Sequence, residues 1–155
     1  MSVLLTSFKR YHDDIAYPYP TMPGYSIAVY QPSWFDPLPK LYLFDIHDEN
    51  GQWIRPRNFM PEDHDGAPSP ALLAVYHDTL LDLYRSRYAA LRYKDLGELA
   101  YNDVALCCWC PYDKAAKRQL DDYGSFVCHS WAVESFLKEL GVKVVRDLDR
   151  KDMVR

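Results

Sequence analysis

Residues 103 to 109, DVALCCW, form an apolar run in which no polar residue alternates after Asp103. A half-solvated strand alternates, so this run has the pattern of a central strand covered on both faces. Further on, Val133, Phe136, Leu137 and Leu140 recur at helical steps within residues 129 to 140, and Gly141 follows as the residue after the C-cap. VKVV, residues 142 to 145, supplies another strand. A strand, helix, strand unit over residues 103 to 145 is by default a right-handed βαβ crossover, which makes the sheet at least partly parallel. The expected fold class is α/β, with a small, mostly parallel sheet flanked by helices.

The rest of the chain fits around that unit. Ten of the eleven prolines precede residue 71, so the first half is expected to be short strands joined by stiff loops. Residues 2 to 7 and 25 to 30 read as strands, and residues 40 to 46 as a third whose helix or strand status the pattern leaves open. Residues 47 to 69 gather His47, Asp48, Glu49, Glu62, Asp63, His64 and Asp65 among prolines and glycines, the composition of a hydrated loop. From Ser69 as N-cap and Pro70 in the first turn, a long helix carries Leu72, Leu73, Tyr76, Leu80, Leu83, Tyr84, Tyr88 and Leu91 on one face. Asp78, Asp82 and Arg85 mark its wet face. A short helix is expected around Leu96 to Tyr101, and residues 146 to 155 form a charged C-terminal tail.

At 155 residues the chain suits one domain, residues 1 to 155, with a core that needs no disulfide or metal staple. A net charge of −4 disfavours non-specific nucleic-acid binding, which needs a surplus of Lys and Arg to neutralise phosphates. No run approaches the roughly 18 apolar residues of a membrane span, and the apolar run at the start is too short for a signal peptide. The expectation is a cytoplasmic protein, where cysteines serve as thiols, ligands or catalytic groups more often than as disulfides.

All four cysteines fall in one window: Cys107, Cys108 and Cys110 at the end of the strand, and Cys128 beside His129 at the start of the helix. Ligands of open α/β sheets bind beyond the carboxyl ends of the strands, beside helix N-termini. Strand alternation sets Cys107 on the face opposite Cys108 and Cys110, and makes Cys107 a core residue. Counting back four from Val133 turns His129 toward the sheet. Three readings stay open there. One is a catalytic thiol at Cys128, its pKa lowered by about half a positive charge at the helix start, with His129 as base and Cys108 or Cys110 opposite. Another is zinc held by Cys108, Cys110, Cys128 and His129, although C-x-C is not the usual C-x₂-C knuckle. The third is a core histidine satisfied by a backbone carbonyl. Ser7, Lys9 and Arg10 follow the first strand and suit either a hydrated loop or an anion such as phosphate, while Gln31 and Trp34 follow the second, where they line the same crevice or, for Trp34 between prolines, anchor a loop.

These segments resemble the family known as domain of unknown function 488. The resemblance rests on YSIAVYQPSWF, on LYRSRYAAL, and on a strand followed by a Cys-His helix start, and it spans roughly residues 3 to 145. The family pattern ends its strand Leu-Cys-aromatic-Glu and continues Cys-His-Arg. Here Cys108 and Trp109 match, Cys110 stands in place of Glu, Cys128 and His129 match, and Ser130 stands in place of Arg. The resemblance implies a Rossmann-like domain with a polar pocket at the Cys-His motif and supplies no reaction. The two departures suit a phage or mobile-element protein, and exchanging Glu for Cys keeps a metal ligand while softening it.

Two functional classes follow. In one, the thiol and imidazole cluster, with Ser130 beside it, acts on a small anionic or nucleotide-type ligand. In the other, the chain is a non-catalytic binding or inhibitory protein whose cluster is core or structural zinc, and its aromatic first half contacts a protein partner.

Overall fold

The computed structural model describes residues 2–16, 22–28, 30–34, 37–54, 70–91, 96, 102–108 and 129–146. Four strands, β1 (Val3–Ser7), β2 (Gly24–Ser26), β3 (Val104–Cys108) and β4 (Val144–Arg146), form an all-parallel sheet in the order β2-β3-β1-β4. The strand read as central lies inside the sheet, with β1 on one side and β2 on the other. β1 leads directly into a short helix, α1 (Phe8–Arg10), which continues as a π-helix over Tyr11–Ala16. The described residues also include the long helix α2 (Pro70–Leu91) and the helix α3 (Ser130–Glu139). This is an α/β architecture.

Side-chain alternation in the two inner strands divides the core. Val3, Leu5, Val104, Leu106 and Cys108 face a large cluster with Tyr76, Leu80 and Tyr84 of α2 and Val133, Phe136 and Leu137 of α3. Leu4, Ala105 and Cys107 face a smaller cluster with Phe8, Tyr11 and Ile15. Both faces are apolar because both are covered, which is why β3 shows no polar alternation. Small residues dominate the second face and let the π-helical segment come close. At Gly24 a Cβ would lie 2.5 Å from Cζ of Tyr11, so the side-chain space there is already filled by the phenol ring.

Three segments depart from their sequence patterns most clearly. β2 ends at Ser26, not Tyr30: Ile27 still donates to the Cys107 carbonyl, but Ser26 Oγ then accepts from Ala28 N and Tyr30 ends 67% exposed. Residues 40 to 46 do not form a third strand. Only Lys40 bridges Ser26, after which Tyr42–Phe44 winds into a 3₁₀ turn that buries Leu43 and Phe44. β4 begins at Val144, because the peptide after Gly141 is still closing the helix: Gly141 has φ +79° and Val142 N donates to Leu137 O at 3.0 Å. The N-cap at Ser69, most of the helix expected near Leu96 to Tyr101, and most of the C-terminal tail lie outside the described residues.

β4 is tied to α3 by a buried ion pair. Arg146 donates through Nε and Nη2 to Oε2 of Glu134, and Lys138 Nζ lies 2.8 Å from Oε1. The Arg146 guanidinium also sits 3.7 Å over the ring of Trp131, which also stacks with the imidazole of His77 on α2. Among the described residues, no helix is long and apolar enough to cross a membrane.

Candidate functional site at the carboxyl edge of the sheet

The strands run parallel, so their carboxyl ends share one edge. Ser7 and Cys108 are register partners at the ends of β1 and β3, and Ser26 pairs with Cys107 at the end of β2. From β1 the chain passes into the helical segment on the small-core face, whereas the chain after β3 returns through α3 on the large-core face. Adjacent strands whose connections leave to opposite faces open a crevice at their carboxyl ends. The helical segment after β1 and the start of α3 both border that edge.

Ser7 lies at the α1 end of that edge. Its Oγ accepts from Arg10 N at 3.2 Å, so the hydroxyl serves as the helix N-cap. Lys9 is exposed and Arg10 half-buried beside it. His129 precedes α3 and takes helical backbone angles itself, so its side chain does not cap the helix. The imidazole instead turns inward, 9% exposed, and its Nε2 lies 2.7 Å from the carbonyl oxygen of Ile27, just past β2. The turn toward the sheet expected from helical spacing is therefore present, and so is the carbonyl partner. A carbonyl only accepts, so Nε2 carries a proton.

The cysteines are distributed as strand alternation requires. Cys107 is fully buried in the small cluster, and Cys108 is buried in the large one with Sγ 3.8 Å from the Thr6 carbonyl. Burial, followed by the proximity of Cys107, raises the Tyr11 phenol above its ordinary pKa. Cys110 and Cys128 lie outside the described residues. Of the four ligands of the zinc reading, Cys108 and His129 are therefore described. Among the described residues, no three His, Cys, Asp or Glu side chains are grouped to hold a metal ion. Ser130 opens α3 and is buried.

Gln31 and Trp34 serve the loop after β2. The Gln31 amide spans Leu38, donating from Nε2 to its carbonyl at 2.7 Å and accepting its N–H on Oε1 at 2.6 Å, so both ends of the carboxamide hold the loop shut. Trp34 meets His12 edge-on at 5.3 Å between ring centroids and remains 51% exposed. The partner of His129 had no sequence signal, because a main-chain carbonyl is present at every residue. Only the register of β2 against β3 brings that of Ile27 to the start of α3.

No family model, no curated protein and no solved structure matches this chain.

Proposed function

We propose that the carboxyl edge of the sheet binds a small anionic or nucleotide-type ligand and that the Cys-His start of α3 carries thiol chemistry on it. In this reading Cys128 is the activated thiol or ligand, His129 is its base and Cys110 a further thiol partner, while Cys108 packs in the core behind them. Ser7, Lys9, Arg10 and Ser130 provide the anion contacts. The observation that supports it is the inward imidazole of His129, oriented by the 2.7 Å contact of its Nε2 with the Ile27 carbonyl; the same contact satisfies a core histidine in the second reading below. An imidazole oriented by a backbone acceptor is the usual arrangement for a histidine that takes a proton or binds a metal through its other nitrogen. The Rossmann-like domain and the likeness to domain of unknown function 488 belong to the same proposal, with Cys110 and Ser130 marking a diverged member.

Inorganic phosphate titrated into ¹⁵N-labelled protein tests the anion site. Saturable shifts of the Ser7 to Arg10 and His129 to Trp131 amides support it, and shifts spread over the whole surface contradict it. Metal analysis of protein purified without added zinc tests the chemistry. About one equivalent of zinc, lost together with the fold on chelation, replaces the catalytic thiol with a structural site.

A second reading is favoured by the exposure of Tyr30, Trp34 and Tyr42 together with the complete burial of Cys107 and Cys108. Here the chain is a binding or inhibitory protein that presents its aromatic loops to a protein partner, and the thiols are packing.

A further inference from the structure

His47, which composition assigns to a hydrated loop, has a different environment. Its Nδ1 lies 3.0 Å from Oδ1 of Asp45. Among the described residues its Nε2 meets no hydrogen-bond partner, and the side chain is 34% exposed. Asp45 Oδ1 also accepts from Ile46 N at 3.0 Å and lies 3.5 Å from Lys40 Nζ. Partial burial alone would raise the Asp45 carboxyl. The hydrogen bond from His47 and the charges of Lys40, His47 and Arg87 outweigh it and hold the group below its ordinary pKa.

The pair is fixed from behind. Arg87, on α2, donates Nη1 to the carbonyls of Leu43 at 3.0 Å and of Asp45, and Nη2 to the carbonyl of His47. From the other side the chain closes through a bridge between His47 and Trp53, with Asp48 Oδ1 accepting from Asn50 N and Gln52 N across the turn. Among the described residues, the charged groups around His47 are thus Asp45, Lys40, Arg87 and Asp48, and Oδ1 of Asp48 accepts within its own turn. Trp53 lies beside the imidazole, 6.1 Å between centroids and tilted by 35°, and Tyr30 meets Trp53 edge-on at 5.8 Å.

A carboxylate accepts from Nδ1, so in the neutral ring the lone pair is on Nε2. The ring of Trp53 beside the fixed imidazole, with Tyr30 edge-on to Trp53, sets an aromatic surface next to a proton acceptor. We propose that Asp45 and His47 form a second site, which shares no residue with the Cys-His edge. It binds a planar aromatic or heteroaromatic molecule bearing an acidic O–H or N–H, seated against Trp53 and Tyr30. The ligand's proton passes to Nε2, the ligand remains as the anion beside the imidazolium, and Asp45 stays ionised to stabilise that cation.

4-Nitrophenol tests this, because its ring is planar, its hydroxyl is acidic and its phenolate absorbs in the visible. At a pH below the phenol's own pKa, the full chain should raise the phenolate absorbance saturably. H47Q should abolish the rise, and D45N should weaken binding about tenfold. Equal absorbance with wild type and H47Q overturns the proposal, as does no rise at all. The tautomer gives a second measurement that needs no variant. Long-range ¹⁵N–¹H correlation should show His47 protonated on Nδ1 and His129 on Nε2. An Nε2–H form at His47 overturns the dyad.

Discussion

Replacing Arg146 with Ala removes the guanidinium that joins β4 to α3. The Glu134 side chain is 9% exposed and that of Arg146 10%, so both charges are largely desolvated. Removing one partner of a buried pair costs about 3–5 kcal/mol, mostly because the other charge is left uncompensated. Glu134 would keep Lys138 at 2.8 Å, but that lysine is 59% exposed and screens weakly, which places Arg146→Ala at the lower end, about 3 kcal/mol. Arg146→Met keeps a side chain over Trp131, so its advantage over Ala isolates the ring contact, about 1 kcal/mol. Glu134→Gln keeps an acceptor for the Nε–H and should cost about 1–2 kcal/mol. Urea unfolding followed by circular dichroism reads all three, with an unchanged denaturant slope, and Arg146→Ala should melt roughly 6–12 °C lower. A loss below about 0.5 kcal/mol would mean the pair behaves as a solvated surface bridge, and the buried tie would be refuted.

Gly24→Ala puts a methyl group 2.5 Å from Tyr11 Cζ, where the ring is 3% exposed and its hydroxyl donates to the Met22 carbonyl; about 2 kcal/mol of destabilisation is expected in the same assay. Adding Tyr11→Ala should make the double variant less unstable than the sum of the two, and strict additivity would argue against the clash. His129→Phe leaves the Ile27 carbonyl without its imidazole donor and should cost about 1–3 kcal/mol, whereas His129→Gln keeps a donor; equal losses would show that the 2.7 Å contact contributes nothing. The folded Asp45 carboxyl stays charged to lower pH than the unfolded one, so its stabilisation is complete above the ordinary carboxylate range and disappears as pH falls through the folded value. Asp45→Asn should therefore flatten that part of the acid limb in pH-dependent melts.

The elements legible in the sequence were those whose burial is written in periodicity. β3 could be recognised because both its faces are apolar, and α2 because Leu73, Tyr76, Leu80 and Tyr84 recur on the face that is buried. Gly141 marked the end of α3 because only a left-handed residue closes it there. Residues 40 to 46 were illegible for the opposite reason. Their apolar run packs as a 3₁₀ turn held by Arg87, a cation more than forty residues away in the chain. At the candidate site, alternation sufficed to separate Cys107 from Cys108, and helical spacing to turn His129 inward. The partner of Gln31 was not legible, because a carboxamide beyond a strand end looks the same whether it meets a ligand or a neighbouring peptide such as that of Leu38. His47 was hidden among acidic loop residues. The spacing Asp-x-His was a signal, but it becomes a dyad only once the turn folds Asp45 back onto the ring.

The rate at which Cys128 is alkylated tests the central claim most directly. Iodoacetamide at neutral pH, followed by mass spectrometry of the folded full chain, should label Cys128 faster than the same cysteine in a free peptide spanning residues 124 to 132. Cys107 and Cys108, buried to within 1%, should stay unlabelled, and H129Q should slow Cys128 toward the peptide rate. A Cys128 rate at or below that of the peptide, unchanged in H129Q, would contradict an activated thiol at the start of α3.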